Sequence, residues 1–123
     1  MSQREIRQLQ FIDWPDHGVP NDPSNFLKFY QKVEFYQAEI NTEFPTIIHC
    51  SAGVGRTGVT IGFDAAVRLI KNDLPVDPMK LLLEMRHQRA CLIQTDDQFL
   101  FLCKIIVHYF HGRKENIIKH IEL

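Results

Sequence analysis

The sequence predicts an α/β fold, a few-stranded and largely parallel sheet packed by about four helices. Three observations carry that prediction. Ile6-Arg7-Gln8-Leu9-Gln10-Phe11-Ile12 alternates with the period of a strand. Pro45-Thr46-Ile47-Ile48 is a short β-branched run of the kind that forms a buried strand. The rest of the chain carries helix-start signals followed by apolar residues at helical spacing.

The elements follow in order. After the first strand, Trp14-Pro15-Asp16-His17-Gly18-Val19-Pro20 reads as a loop, with Gly18 as its flexible point and Pro15 and Pro20 as stiff ones. Asn21-Asp22-Pro23-Ser24 opens a helix, with proline in the first turn. Phe26, Phe29 or Tyr30, Val33, Tyr36 and Ile40 then recur at helical spacing, and Phe44-Pro45 ends the connection to the second strand. A glycine-rich loop from His49 to Gly58 leads into a helix to about Lys71. Its Val59, Ile61, Phe63, Val67 and Ile70 cover most faces, which predicts a central, buried position. Asn72 to Asp77 supplies turn signals, and Asp77-Pro78 starts a helix reaching about Arg89. Thr95-x-x-Gln98 is a capping box for a final helix expected to end near Gly112. Beyond it, Ile117, Ile118 and Ile121 keep to one side of a short amphipathic tail.

The chemistry concentrates in His49-Cys50-Ser51-Ala52-Gly53-Val54-Gly55-Arg56-Thr57-Gly58. A thiol and a guanidinium stand six positions apart across a loop between a strand and a helix N-terminus. A helix N-terminus offers unpaired N–H groups and the positive end of the macrodipole, so it favours a bound phosphate. Glycines let successive N–H groups converge on one oxyanion, and Arg56 can grip two phosphate oxygens in a fork. The same field lowers a thiol's pKa. A thiolate facing a bound phosphate is a nucleophile aimed at phosphorus.

Rival readings are weaker. Gly53-Val54-Gly55-Arg56-Thr57-Gly58 also fits the dinucleotide fingerprint, with Asp73 about 20 residues on. That site needs a second parallel strand after the helix, where the sequence has only turn and helix-start signals. A Walker loop fails because no Gly-Lys-Ser/Thr follows. Cys50 could be a plain core cysteine, but Arg56 and the Trp14 loop argue against it. Asp16 on that loop can act as a carboxylic acid that protonates a leaving oxygen. Its competing reading is a Trp-Pro turn with a solvated carboxylate.

Taken together, these motifs resemble the protein tyrosine phosphatase family, in its phosphotyrosine-specific branch. The cysteine loop matches His-Cys-x-x-Gly-x-x-Arg-Ser/Thr at every defined position, and Trp14-Pro15-Asp16 matches the acid loop. Gln94-Thr95-Asp96-Asp97-Gln98 resembles the loop that orients the hydrolytic water, with Met85-Arg86-His87-Gln88-Arg89 upstream. The resemblance implies that Cys50 attacks phosphorus and forms a phosphocysteine. Arg56 and the N–H groups of Ser51, Ala52, Gly53, Val54, Gly55 and Arg56 would hold the equatorial oxygens. Asp16, carried with His17 and Gly18 on the Trp14-Pro15 loop, would protonate the tyrosine oxygen and then act as base on water. Gln94, helped by Gln98, would place that water, Thr57 would donate to the leaving thiolate, and His49 would hold the loop and keep Cys50 acidic. Arg86 and Arg89 are expected to support the site rather than react. Their competing reading is a basic helix end that complements the dipole.

The resemblance covers nearly the whole chain as the C-terminal portion of such a catalytic domain, and residues 1–123 are expected to be that portion, with a truncated phosphatase-like fold. The Asn-Arg-Tyr loop that stacks on the substrate ring in this family does not occur in the sequence. The expected function is hydrolysis of phosphotyrosine in protein substrates. The alternative is a half-domain without turnover of its own, serving as a phosphate-binding or regulatory module or requiring self-association. Exposed strand edges would make it a candidate homo-oligomer.

Composition is consistent with this reading. A net charge of −1 and a pI near 6.6 give no reason to invoke nucleic acid. Three cysteines form no paired framework, as expected in a reducing, cytoplasmic compartment. The longest apolar stretch, Phe99 to Phe110, is interrupted by Lys104 and His108 and is too short to span a bilayer. No metal or organic cofactor is implied, and His108-x-x-His111 reads as a polar spot on a helix. Cys91, three residues before Gln94, is a candidate second thiol at the rim of the site, against a half-buried residue entering a turn. Cys103, within the final helix, is expected in the core.

Overall fold

Four α-helices make up the regular structure in the computed structural model, which describes residues 2–15, 18–40 and 45–121. They are α1 (Pro23–Glu39), α2 (Gly55–Lys71), α3 (Pro78–Gln88) and α4 (Asp96–Ile121). Their starts are set by local chemistry. The Asp22 carboxylate accepts the Ser24 N–H at 2.9 Å, and Asp77 accepts from Met79 and Lys80 at 3.1 and 3.2 Å. A proline follows each cap at a position whose missing N–H costs nothing. At α4 both halves of the capping box form: Gln98 N–H donates to Thr95 Oγ1 at 3.1 Å, and Thr95 N–H to Gln98 Oε1 at 3.3 Å.

α2 is the central element and packs against both α3 and α4, with α1 lying on α4. Val59, Phe63, Ala66 and Val67 of α2 are buried against Leu102 and Ile105 of α4 and Phe26 of α1. Close approach of α2 to α4 depends on Gly62, where a Cβ would meet Leu102 Cδ2 at 3.1 Å and Met85 Sδ at 3.4 Å. Aromatic rings fill the space below the Trp14 loop. Trp14, Phe26 and Phe63 stack edge to face, with Phe101 contacting both Trp14 and Phe26. Tyr30 donates to Asp64 at 2.6 Å, and burial together with that carboxylate raises its phenol pKa well above the ordinary value. Asp64 also pairs with Arg68 at 3.2 Å, and Lys71 pairs with Glu34, tying α2 to α1.

The expected parallel sheet does not form: among the described residues no strand is present, and the architecture is helical. Residues 6–12 and 45–48 are irregular chain that joins no ladder. Ile6, Ile12 and Ile47 are 80%, 84% and 86% exposed, although the strand reading required buried neighbours. The physical reason is that a strand satisfies its backbone only through a partner distant in sequence, and two short runs do not supply a covered sheet. The first run docks through side chains alone: Phe11 against Trp14, Phe26 and Phe29, and Arg7 over the Tyr36 ring and beside Glu39 of α1. The helix count matches the expectation. The expected end of the last helix does not hold, because α4 continues through Gly112 to Ile121. A mid-helix glycine costs roughly 1 kcal/mol relative to alanine, which the surrounding turns tolerate. No helix among the described residues is long and apolar enough to cross a membrane.

Candidate active site

The glycine-rich loop and the first turn of α2 wrap around the Cys50 sulfur. Thr57 Oγ1 donates to Cys50 Sγ at 3.1 Å, and the Gly53 N–H donates to it at 3.3 Å. Gly53 has φ +73°, a left-handed conformation open to glycine at low cost, which turns its N–H towards the sulfur. The N-cap Val54 provides no side-chain acceptor, and no acidic residue lies in the first turn of α2. That helix end is therefore left electropositive and open to an anion. Partial burial of Cys50 raises its pKa. Hydrogen bonds from Thr57 Oγ1 and from the N–H groups of Thr57, Gly53 and Val54 outweigh that effect and bring it down to about 7.

A measurable consequence concerns alkylation. Only the thiolate reacts appreciably with iodoacetamide, so labelling of Cys50 should be slow below neutrality and reach its plateau above a midpoint near 7. Thr57→Val should move that midpoint up by removing the first of the stabilising hydrogen bonds. Peptide mapping separates Cys50 from the exposed Cys91. A Cys50 midpoint near the ordinary 9.0 would reject this account of the loop.

Cys50 opens onto a pocket of about 330 Å³ lined by Trp14, Gly18, Ser51, Ala52, Gly55, Arg56, Gln94, Thr95, Asp97 and Gln98. Arg56 reaches across it. Its Nη2 donates to the Pro15 carbonyl at 3.2 Å, and its guanidinium lies 5.8 Å from the centre of the Trp14 ring. Trp14 Nε1 donates to the Gly18 carbonyl at 3.1 Å, which closes the two ends of that loop on each other. Asp16 and His17 lie outside the described residues.

Gly55 lets two amides approach the loop. A Cβ there would fall 2.7 Å from Gln94 Oε1 and 2.8 Å from Gln98 Nε2. Gln98 Oε1 is already committed, accepting the N–H groups of Gln94 at 2.8 Å and Thr95 at 3.3 Å, so Nε2 is its remaining polar end. The same side chain caps α4 and holds the Gln94 backbone.

Arg86 and Arg89 fasten this arrangement from behind. Arg86 Nε donates to the Leu92 carbonyl at 2.9 Å and Nη2 to the Ile93 carbonyl at 2.7 Å. The Ile93 N–H in turn donates to the Val54 carbonyl at 2.8 Å, which links the Gln94 segment to the cysteine loop. Arg89 Nη2 lies 3.4 Å from the Ala52 carbonyl and 3.3 Å from where a Gly53 Cβ would stand. Gly58 allows the contact between segments, since its Cβ would come within 2.6 Å of the Ile93 nitrogen.

The structure thus gathers Cys50, the loop to Arg56, Thr57, Trp14, Pro15, Gly18, Gln94 and Gln98, with Arg86 and Arg89 behind them. His49 is exposed and does not line the pocket. Cys91 is exposed with φ +67° and also lies off the pocket wall, and Cys103 is half-buried rather than fully in the core. Sequence reading missed Leu92, Ile93 and the Pro15 carbonyl as structural partners. They act through backbone atoms, so their side chains carry no signal; the nearest hint was the pair of arginines on one helix end.

The family model for protein-tyrosine phosphatase matches residues 1–108. Tyrosine-protein phosphatase 1 of Caenorhabditis elegans is 44% identical over 109 residues, covering 89% of this chain and 10% of that protein. Tyrosine-protein phosphatase non-receptor type 4 of Homo sapiens is 46% identical over 107 residues, covering 87% of this chain and 11% of that protein. Receptor-type tyrosine-protein phosphatase eta of Mus musculus is 37% identical over 111 residues, covering 90% and 9%. The chain spans about a tenth of the length of the curated relatives it matches.

Proposed function

We propose that this chain, which belongs to the protein-tyrosine phosphatase family, hydrolyses phosphotyrosine in protein substrates through a phosphocysteine intermediate. The observation that carries this reading is the lowered pKa of Cys50, whose sulfur sits at the floor of a pocket edged by a forked cation and an uncapped helix N-terminus. In the first step the thiolate attacks phosphorus, an S–P bond forms and the P–O bond to the tyrosine breaks. Asp16 gives its proton to the departing phenolate oxygen. Arg56 and the loop N–H groups take the charge on the equatorial oxygens, where preorganised donors contribute most. In the second step water attacks phosphorus, the S–P bond breaks, and the now ionised Asp16 accepts the water proton. Gln94 and the Nε2 end of Gln98 position that water, and Thr57 stabilises the departing thiolate. The ordinary cellular setting for such a thiolate is a reducing compartment, the cytoplasm.

The test is turnover of an aryl phosphate and of a phosphotyrosine peptide by the purified chain, with vanadate as competitor and mass spectrometry of acid-quenched samples. Vanadate-sensitive turnover with phosphate trapped on Cys50 is the expected result. Turnover indifferent to vanadate, or phosphate on another residue, would overturn the mechanism. Vanadate binding without turnover would leave the alternative function, a phosphate-binding module.

A further inference from the structure

α4 carries two apolar stripes, and the core uses one of them. Phe101, Leu102, Ile105 and Ile106 face inward and are 7% exposed or less. On another face, Leu100, Cys103, Val107 and Phe110 follow one another at intervals of three, four and three residues. Leu100, Val107 and Phe110 are 63%, 51% and 48% exposed. The same three-four spacing continues in the sequence at Lys114, Ile117 and Ile121, to the end of the helix. The family match ends at residue 108, so the second half of this stripe lies beyond the matched domain.

A three-four repeat over three heptads is the seam of a coiled coil and packs well against another helix of the same spacing. We propose that this seam pairs with the seam of a second copy of the chain, the two α4 helices running antiparallel.

Charge sets the partner and the direction. The N-terminal turn of α4 carries Asp96 and Asp97, while its C-terminal part carries Arg113, Lys114 and Lys119 against Glu115. Antiparallel pairing of two copies brings Lys119 of each level with the acidic first turn of the other, sets Arg113 level with the partner's exposed Lys104 outside the seam, and aligns the helix dipoles favourably. With Val107 opposite the partner's Phe110, Lys114 falls opposite the partner's Cys103. A parallel pair would instead bury two Lys114 ammonium groups against each other, which is costly. The antiparallel arrangement also keeps the two bodies apart, because α1 and α2 reach α4 through Phe101 and Tyr109, no further along than its middle. A groove of about 640 Å³ beside Val107 and Phe110, walled by the exposed Leu74, gives the partner's Phe110 a place to insert.

Sedimentation of the full chain at concentrations up to about 100 μM tests the pairing, since mass action favours the dimer there. The expected mass is twice the 14.4 kDa of one chain. Val107→Glu and Phe110→Glu should each halve it with unchanged far-UV circular dichroism, because both positions lie off the core. A monomeric wild type, or a dimer that survives both substitutions, as one joined through extended-chain edges would, overturns the proposal. Direction is read by disulfide capture with oxidised glutathione in a Cys50→Ser, Cys91→Ser background. Adding Lys114→Cys should yield a covalent dimer joined through Cys103. Equal cross-linking through Cys103 without that substitution would mean a parallel pair and overturn the antiparallel assignment.

Discussion

Cys50→Ser is expected to lower kcat for aryl phosphate hydrolysis by about four orders of magnitude or more, the scale seen when a covalent nucleophile is lost. The size follows from the surroundings of the sulfur. Thr57 Oγ1 and the Gly53 N–H donate to it at 3.1 and 3.3 Å, which brings its pKa down to about 7. A serine hydroxyl at the same position remains un-ionised at neutral pH, so the same donors face a neutral oxygen with little nucleophilicity. The loop N–H groups and Arg56 are unchanged, so vanadate or phosphate should still protect the variant against thermal unfolding. Steady-state kinetics beside a thermal shift in vanadate make the comparison. Residual turnover within tenfold of wild type would show that Cys50 is not the nucleophile.

The second large effect is expected at Arg56. Arg56→Lys should reduce kcat/KM by about two to three orders of magnitude, as when a preorganised oxyanion donor is removed, although the charge is retained. A lysine ammonium cannot present two parallel N–H groups to a phosphoryl group while also donating to a carbonyl on the far wall. Arg56 holds the Pro15 carbonyl at 3.2 Å and lies over Trp14, so its loss loosens the loop that carries Asp16 as well as the oxygen grip. Both kcat and KM should therefore worsen. A variant with only a raised KM would mean that Arg56 contributes uniform binding and nothing specific to the transition state.

The helices were legible because their signals are local. Asp22, Asp77 and the Thr95–Gln98 pair each cap within three residues of themselves, and each cap forms. Gly112 misled because a glycine after a periodic run resembles a C-terminus, whereas α4 carries on for more than two further turns. The extended runs misled for a different reason. Alternation in residues 6–12 describes a chain able to enter a sheet, and the covering partner is a non-local requirement that the pattern does not contain.

The candidate site shows the same division. Cys50 and Arg56 announce themselves by residue type and spacing, since thiolate and guanidinium chemistry belongs to side chains, whereas Thr57, Gln94 and Gln98 were marked for the site only by the resemblance to the phosphatase family. Arg86 was singled out as a supporting residue, but its acceptors, the carbonyls of Leu92 and Ile93, exist in every residue and carry no signature. Positive φ at Cys91 and at the β-branched Ile93 is likewise unreadable, because those residue types disfavour the conformation. At Ile93 the bonds to the Val54 carbonyl and from Arg86 hold it against a cost of about 1–3 kcal/mol.

By itself, then, the sequence determined the helix starts and marked a candidate thiol and guanidinium on a phosphate-sized loop, features that depend on residues within a few positions of one another. Only the tertiary structure decided that no ladder joins residues 6–12 and 45–48, that Arg56 spans the pocket to Pro15, and that Arg86 holds the Leu92–Ile93 backbone while the Ile93 N–H ties that segment to the cysteine loop. Those outcomes depend on groups far apart in sequence, and packing and backbone hydrogen bonding select among partners that the sequence leaves equivalent.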